Sequence, residues 1–503
     1  MRMKNNNLDF RASALFPIYI QPGIKNRINF LSYWKFKNKL DNVHMLLSFR
    51  DREGQLVSSD EISIAGGPKS YDIDLNYFID LHVKSSTFGF AFSVEVEVFF
   101  EKEPFIKYPA LVYCITNGND SSTVHSCLRS YNPSEIMPRE IHDSYQTGFD
   151  VFFEDSSVNY IVLIGGSIQT EYCLNIIIHS ANGELELVKT ITLFNDGCKK
   201  LFQISINDLF DDDILNMIGL CKVSIKHDVK DIFPRFYVGN LSDHKLPSLT
   251  HTFFDENKLS NKKAIKISDS RNIFAAFSFP LLDSELFNTS ISSYMANKFW
   301  DGQVSVKLLD SKGTVVAVKE FSSKAFELFQ KISTLNIYDF FAHDEFYRDS
   351  SSCKFELYAD TYPSRFKLGL NIARTGALSS GTNICFSPPI VNDATSIKES
   401  SSTWCPVGGP SEFAAFFQNT WMFGPKKVSK VAAHIFSADG EELLLEFELL
   451  PDASLRLSPI DNPTICSFLN GDLGYCFFKS SNPYFSAWYL SIGVNGVGGD
   501  HAF

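Results

Sequence analysis

Three histidines stand at matching places along this chain. They are His125 in Thr123-Val124-His125-Ser126-Cys127, His251 in Leu249-Thr250-His251-Thr252-Phe253 and His501 in Gly499-Asp500-His501-Ala502-Phe503. A fourth such place carries Ile384-Cys385. Imidazole is both a metal ligand and a general base near neutral pH. A metal-dependent enzyme built on His125, His251 and His501 is therefore one reading. It requires two of them to converge, or one to meet carboxylates from a neighbouring unit. In a linear chain of units the three would lie on separate domains. Each would then be a strand-end imidazole bonded to a backbone carbonyl, which is the expected role. Only closure around an axis would bring them together.

Aromatic residues offer a second chemistry. Trp404, Trp421, Trp488 and Tyr489 place three of the five tryptophans in the last fifth of the chain, with Trp34 and Trp300 elsewhere. Exposed, coplanar rings beside a cleft would stack on sugars. Full burial would assign them to a core, and core packing is the expected role of each.

Other motifs are excluded by spacing. No pair of the ten cysteines has C-x-x-C spacing, and there is no H-x-H or H-E-x-x-H. His142-Asp143, His227-Asp228 and His343-Asp344 are adjacent pairs, but neighbours on a strand point to opposite faces. Asp211-Asp212-Asp213 lacks the alternating ligands of a calcium loop. No G-x-S-x-G occurs, and Val494-Asn495-Gly496-Val497-Gly498-Gly499 has no helix after it to bind a dinucleotide. With 58 acidic residues, no carboxylate pair for glycoside hydrolysis can be singled out.

The net charge of −12 argues against nucleic acid, whose phosphates need clustered cations. Most cysteines lie in apolar runs, such as Leu111-Val112-Tyr113-Cys114-Ile115, and read as small buried hydrophobes in a reducing compartment. The start, Met1-Arg2-Met3-Lys4-Asn5-Asn6-Asn7, lacks a signal-peptide h-region, and no stretch reaches the length of a membrane span. The cytoplasm is the expected location.

The elements that position these residues form a repeat. Four polar turns end in glycine: Asp51-Arg52-Glu53-Gly54, Ser180-Ala181-Asn182-Gly183, Asp310-Ser311-Lys312-Gly313 and Ser437-Ala438-Asp439-Gly440. Strand-like runs flank each one, so each reads as a β-hairpin whose glycine takes φ > 0. Proline follows in each copy, in Tyr108-Pro109, Phe233-Pro234, Tyr362-Pro363 and Asn482-Pro483, and then comes the histidine-type ending. Helical pattern is confined to short connectors at Ser323–Lys331 and near Ile206–Leu209. The 47 phenylalanines suit β-rich cores. The spacing predicts an all-β chain of four tandem β-sandwich repeats of about 130 residues, immunoglobulin-like or jelly-roll. Their expected ranges are 12–135, 143–257, 262–392 and 400–503.

Repetition creates extended surfaces, whereas catalysis needs one site. The expected function is non-enzymatic assembly or recognition of a protein partner. The alternatives are a carbohydrate-binding or carbohydrate-processing protein, with its site in repeat 4 or between repeats, and the histidine metalloenzyme.

Overall fold

A computed structural model gives the fold of the protein. It describes residues 10–503 apart from 41, 65–66, 85–86, 104–108, 133–144, 153–156, 181–184, 211–219, 234, 243–245, 255–264, 267–272, 294–301, 323–333, 342–349, 360, 363–366, 376–380, 388–399 and 423–424. The predicted connector at 323–331, the Asp211–Asp213 run, Trp300, His142-Asp143, His343-Asp344 and the Gly183 turn lie outside the described residues.

In repeat 1 eight strands follow one another: β1 (Phe10–Ile20), β2 (Lys25–Leu31), β3 (Val43–Asp51), β4 (Leu56–Ser63), β5 (Ser70–Asp74), β6 (Gly89–Phe100), β7 (Val112–Thr116) and β8 (Ser121–His125). They form two antiparallel sheets, ordered β1-β6-β3-β4 and β5-β2-β7-β8. Repeats 3 and 4 reproduce both orders strand for strand. Repeat 2 does so as well, adding Phe253–Phe254 beside its first strand, Tyr145–Phe152. The protein is thus an all-β chain of four tandem β-sandwiches.

The two sheets of each repeat face different surroundings, and their sequences follow. The outer sheet keeps a wet side. Along Glu442–Leu449, the repeat 4 counterpart of β4, exposed and half-buried residues alternate with period two. The inner sheet is covered on both faces. Ser121–Val124 in β8 is buried throughout, as are its counterparts Thr382–Phe386 and Val497–Asp500. Such burial calls for apolar residues, yet β8 reads Ser-Ser-Thr-Val-His. The reason is close approach: the β8-type strands of all four repeats touch in cyclic order, repeat 1 to 2 to 3 to 4 and back to 1. A Cβ on Gly498 would overlap the Ser121 carbonyl oxygen of repeat 1. Thr382 Oγ1 donates to the Gly499 carbonyl at 3.1 Å. The repeats therefore close into a ring around the four inner strands.

Hairpin tips join the ring. The amides of Leu201, Ser454 and Ser70, each opening a β5-type strand, donate to Arg52, Ser311 and Ser437 in the β3–β4-type turn of the preceding repeat (3.0, 3.1 and 3.1 Å). These turns hold Gly54, Gly313 and Gly440 at φ +85°, +83° and +85°. Buried ion pairs accompany two joints. At the first, Glu95 on β6 binds Arg11 (2.7 Å) and, in repeat 2, Lys199 (2.5 Å). At the third, the β6-type strand presents Lys354, which binds Glu356 (3.0 Å) and, in repeat 4, Asp452 (2.8 Å). Lys199 and Asp452 occupy the same place, two residues before a β5-type strand at positive φ. The two joints thus use one geometry with the charges exchanged.

Among the described residues the helices are short, as expected. Asn207–Leu209 is a single 3-10 turn, and Pro463–Leu469 is capped by Asn462, whose side chain accepts from the Thr464 and Ile465 amides.

Candidate functional site

Ring closure puts the repeat-end histidines at one end of the axis. β8 carries His125, Thr250–His251 carries His251 and Val497–His501 carries His501. The His125 ring lies 4.6 Å from that of His251 and 4.8 Å from that of His501, centroid to centroid. Cys385 takes the repeat 3 position, its Sγ 3.5 Å from the His251 carbonyl. At the opposite end the axis narrows to a void of about 30 Å³, lined by residues that include Asp120, Pro247, Gly381 and Gly496.

Each imidazole is oriented through Nδ1. His251 Nδ1 donates to the Thr252 carbonyl (2.7 Å) and His501 Nδ1 to the Ala502 carbonyl (2.9 Å). His125 Nδ1 donates to Asp500 Oδ2 at 2.8 Å, across the joint between repeats 1 and 4. The backbone bonds are those expected of strand-end histidines. They also leave the Nε2 atoms of His251 and His501 as lone-pair acceptors. His251 Nε2 lies 3.2 Å from His125 Nε2, within hydrogen-bonding distance.

Burial, reinforced by His125 and Arg235, holds His251 well below its ordinary 6.5 and keeps it neutral. Burial likewise lowers His501, against the pull of Asp500. For Asp500 burial acts upward, but His125, His501 and a backbone N–H outweigh it and hold the carboxyl below its usual range. Cys127 stands nearby, its thiol pushed up to about 12 by burial, which rules it out as a thiolate nucleophile near neutral pH.

The histidines line a cavity of about 650 Å³ with walls from all four repeats. Repeat 1 supplies Tyr33, Trp34 and Lys37, repeat 2 Arg235, repeat 3 Lys367, and repeat 4 Trp404 and Phe503. Tyr33 packs on Trp404 with centroids 4.8 Å apart, and Lys37 Nζ sits 3.9 Å from the Trp404 ring centre. Trp404 is buried, and its Nε1 donor has no acceptor among the described residues. A larger groove, of about 780 Å³, lies on the outer sheet of repeat 4. Its ionisable groups, Lys430, Lys479, Glu446 and Glu448, are balanced in sign and include no histidine.

The other aromatic candidates lie elsewhere. Trp488 is buried at the joint of repeats 3 and 4, with Nε1 donating to the Ser278 carbonyl (3.1 Å) and its ring edge-on to Phe386. Tyr489 is fully buried against Phe413. Trp421 is half-buried at the same joint as Trp488, where its carbonyl accepts from Lys354 Nζ (3.0 Å). Of these four rings Trp404 lines the cavity, Trp488 and Tyr489 are packed in the interior, as core packing requires, and Trp421 sits at the joint. Strand alternation explains Tyr489, whose neighbour Trp488 points to the opposite side.

No family model matches the chain, and no curated protein matches it. Among solved structures it is similar to a tetra-tandem repeat in the extending region of a large adhesion protein. That match has 11% identity, covers 92% of this chain and 91% of the other, and has a TM-score of 0.08. It is also similar to dimeric latent PorU from Porphyromonas gingivalis, at 9% identity over 67% of this chain, with a TM-score of 0.15. The chain spans 29% of the length of that protein. Scores this low carry no argument, and the architecture rests on the sheets of the chain itself.

Asp500, Lys37, Arg235, Lys367 and Phe503 were not marked out by sequence. Asp500-His501 resembles the adjacent pairs set aside above, because its partner, His125, lies in another repeat. Only the equivalence of the repeat ends pointed to this place.

Proposed function

We propose that the protein is a recognition module whose four repeats surround one axial pocket, and that this pocket binds a small acidic ligand with an apolar face. The observation that carries the reading is the composition of the cavity. In a chain of net charge −12, it gathers Lys37, Arg235 and Lys367 beside a wall of Tyr33, Trp34 and Trp404. Its volume falls within the roughly 300–1,000 Å³ of small-molecule sites. A carboxylate, sulfate or phosphate would meet the cations. The body of the ligand would lie against the aromatic wall. Acidic sugars belong to this class, so the carbohydrate alternative survives in Trp404. The fold, with its presented loops and joints, is compatible with non-enzymatic recognition.

A thermal-shift screen of the full chain tests this, because a ligand of the native state raises the melting temperature by mass action. Acidic sugars, aryl carboxylates and aryl phosphates are compared with their neutral counterparts. Stabilisation by acidic members only, lost in both Arg235→Gln and Trp404→Phe, is the expected result. Equal shifts with neutral counterparts, or silence across the panel, would overturn it.

A further inference from the structure

The contact between His125 and His251 carries a second inference, independent of any organic ligand. We infer that the inner end of the axial cavity is a binding site for one divalent transition-metal ion of the zinc class, with His125, His251 and His501 as its ligands. His251 Nε2 and His125 Nε2 stand 3.2 Å apart, and one of them bears a bare lone pair aimed at the other. Two nitrogens bound to one tetrahedral zinc at about 2.0–2.1 Å lie about 3.3–3.4 Å from each other. The pair is therefore already at ligand spacing for a single metal ion. The His501 ring lies 4.8 Å from that of His125, centroid to centroid, so a third imidazole stands beside the pair, with Asp500 next to both.

The surrounding contacts are those a metal centre uses. A metal-bound imidazole normally gives its other N–H to a carboxylate or a backbone carbonyl, which fixes the ring and raises its basicity. All three do so here, His125 to Asp500, His251 to Thr252 and His501 to Ala502. Asp500 is thus a positioning residue, held out of the first coordination sphere by its bond to His125. Three imidazoles leave the fourth tetrahedral position facing the cavity, as in sites that take a water or an anionic group. Repeats 1, 2 and 4 each contribute one ligand. The ion would therefore tie together three separate sandwiches, and its removal would be felt in the stability of the ring.

Cobalt(II) titration of the purified full chain, followed by zinc displacement, tests the site. One equivalent should give the intense ligand-field absorption of a low-coordinate cobalt centre and be displaced by one equivalent of zinc. Zinc should also raise the melting temperature, and chelator should reverse the rise. His251→Gln and His501→Gln should each abolish the absorption. Asp500→Asn should weaken metal binding about 10–100-fold without abolishing it. His44→Gln, which removes an exposed outer-sheet imidazole, should change nothing. Circular dichroism checks the fold of each variant. If the histidine variants fail to fold, the wild-type stoichiometry and spectrum decide alone. Octahedral cobalt only, several weak equivalents, or binding retained in a folded His251→Gln would each overturn the assignment.

Discussion

Lys354 is fully buried, and its ammonium lies 2.8 Å from Asp452 Oδ1 in repeat 4, 3.0 Å from Glu356 Oε1 and 3.0 Å from the Trp421 carbonyl. Lys354→Met keeps most of the buried stem and removes only the charge. Removing one partner of a buried pair costs about 3–5 kcal/mol, because the other charge stays buried. Here Lys307 remains 2.6 Å from Glu356 and Lys426 remains 2.5 Å from Asp452. The lower end, about 3 kcal/mol, is therefore expected, or roughly two powers of ten in the folded ratio. The loss should depend on pH in a definite sense. Burial alone would raise the Glu356 pKa, but Lys354, Lys307 and Tyr358 hold it at about 2 instead of 4.5. A carboxyl depressed in the folded state stabilises fully above its unfolded pKa and loses that contribution as pH falls through the folded one. For Glu356 that contribution is about 3 kcal/mol, and it disappears as pH falls from 4.5 to about 2. The deficit of Lys354→Met should accordingly be greatest near neutral pH and shrink in acid as both carboxylates protonate. Urea midpoints of wild type and variant across that range measure it. A deficit under about 0.5 kcal/mol near neutral pH, the size of an ordinary surface change, would refute the reasoning. So would a deficit that stays constant into acid.

Two further outcomes follow from the joints and the thiols. Gly54→Ala should cost well over 2 kcal/mol, because its Cβ would overlap the Cys198 carbonyl oxygen on top of about 1–2 kcal/mol of left-handed backbone strain. Gly440→Ala should cost only that strain, since its nearest neighbour, the Pro68 carbonyl oxygen, is 3.6 Å away. Urea midpoints separate the two, and equal costs would remove the joint from the argument. In native labelling with a thiol-specific disulfide reagent, exposed Cys198 and Cys466 should react fast. Cys114 and Cys127, buried with pKa pushed up to about 12, should react only on unfolding. Peptide mapping identifies the labelled sites, and fast labelling of Cys127 would contradict its burial.

The hairpin glycines were legible because a two-strand turn with φ > 0 leaves a strong local signature. Gly54, Gly313 and Gly440 sit in such turns as read. The repeat ending was legible too, since His125, His251 and His501 recur in one local context. What they do together was not. Convergence depends on contacts between residues hundreds of positions apart, such as His125 with Asp500, and no local pattern encodes these. The serines and glycines of the inner strands gave the clearest missed hint. Fully buried strands rarely read Ser121-Ser122-Thr123 or Gly498-Gly499 unless another backbone comes close. The exchanged charges of Glu95–Lys199 and Lys354–Asp452 were hidden for a related reason: equivalence of place does not require identity of residue.

The joint between repeats 4 and 1 differs from the others in one respect: no short linker connects the surfaces that meet there. The Ser437 carbonyl and the Ser70 amide find each other across about three quarters of the chain. Nothing in that contact distinguishes repeat 1 of the same molecule from repeat 1 of another copy. The same joint could be met within one chain, or between two copies that pair repeats 1 and 2 of one with repeats 3 and 4 of the other into four-repeat rings that preserve every joint. Tethering favours self-closure, because it supplies an effective concentration that for short flexible links reaches about the millimolar range. Crowding the chain above its effective concentration, or weakening the first three joints so that the ring springs open, shifts the balance to exchanged dimers. Exchange of this kind would make oligomeric state depend on concentration with no additional interface.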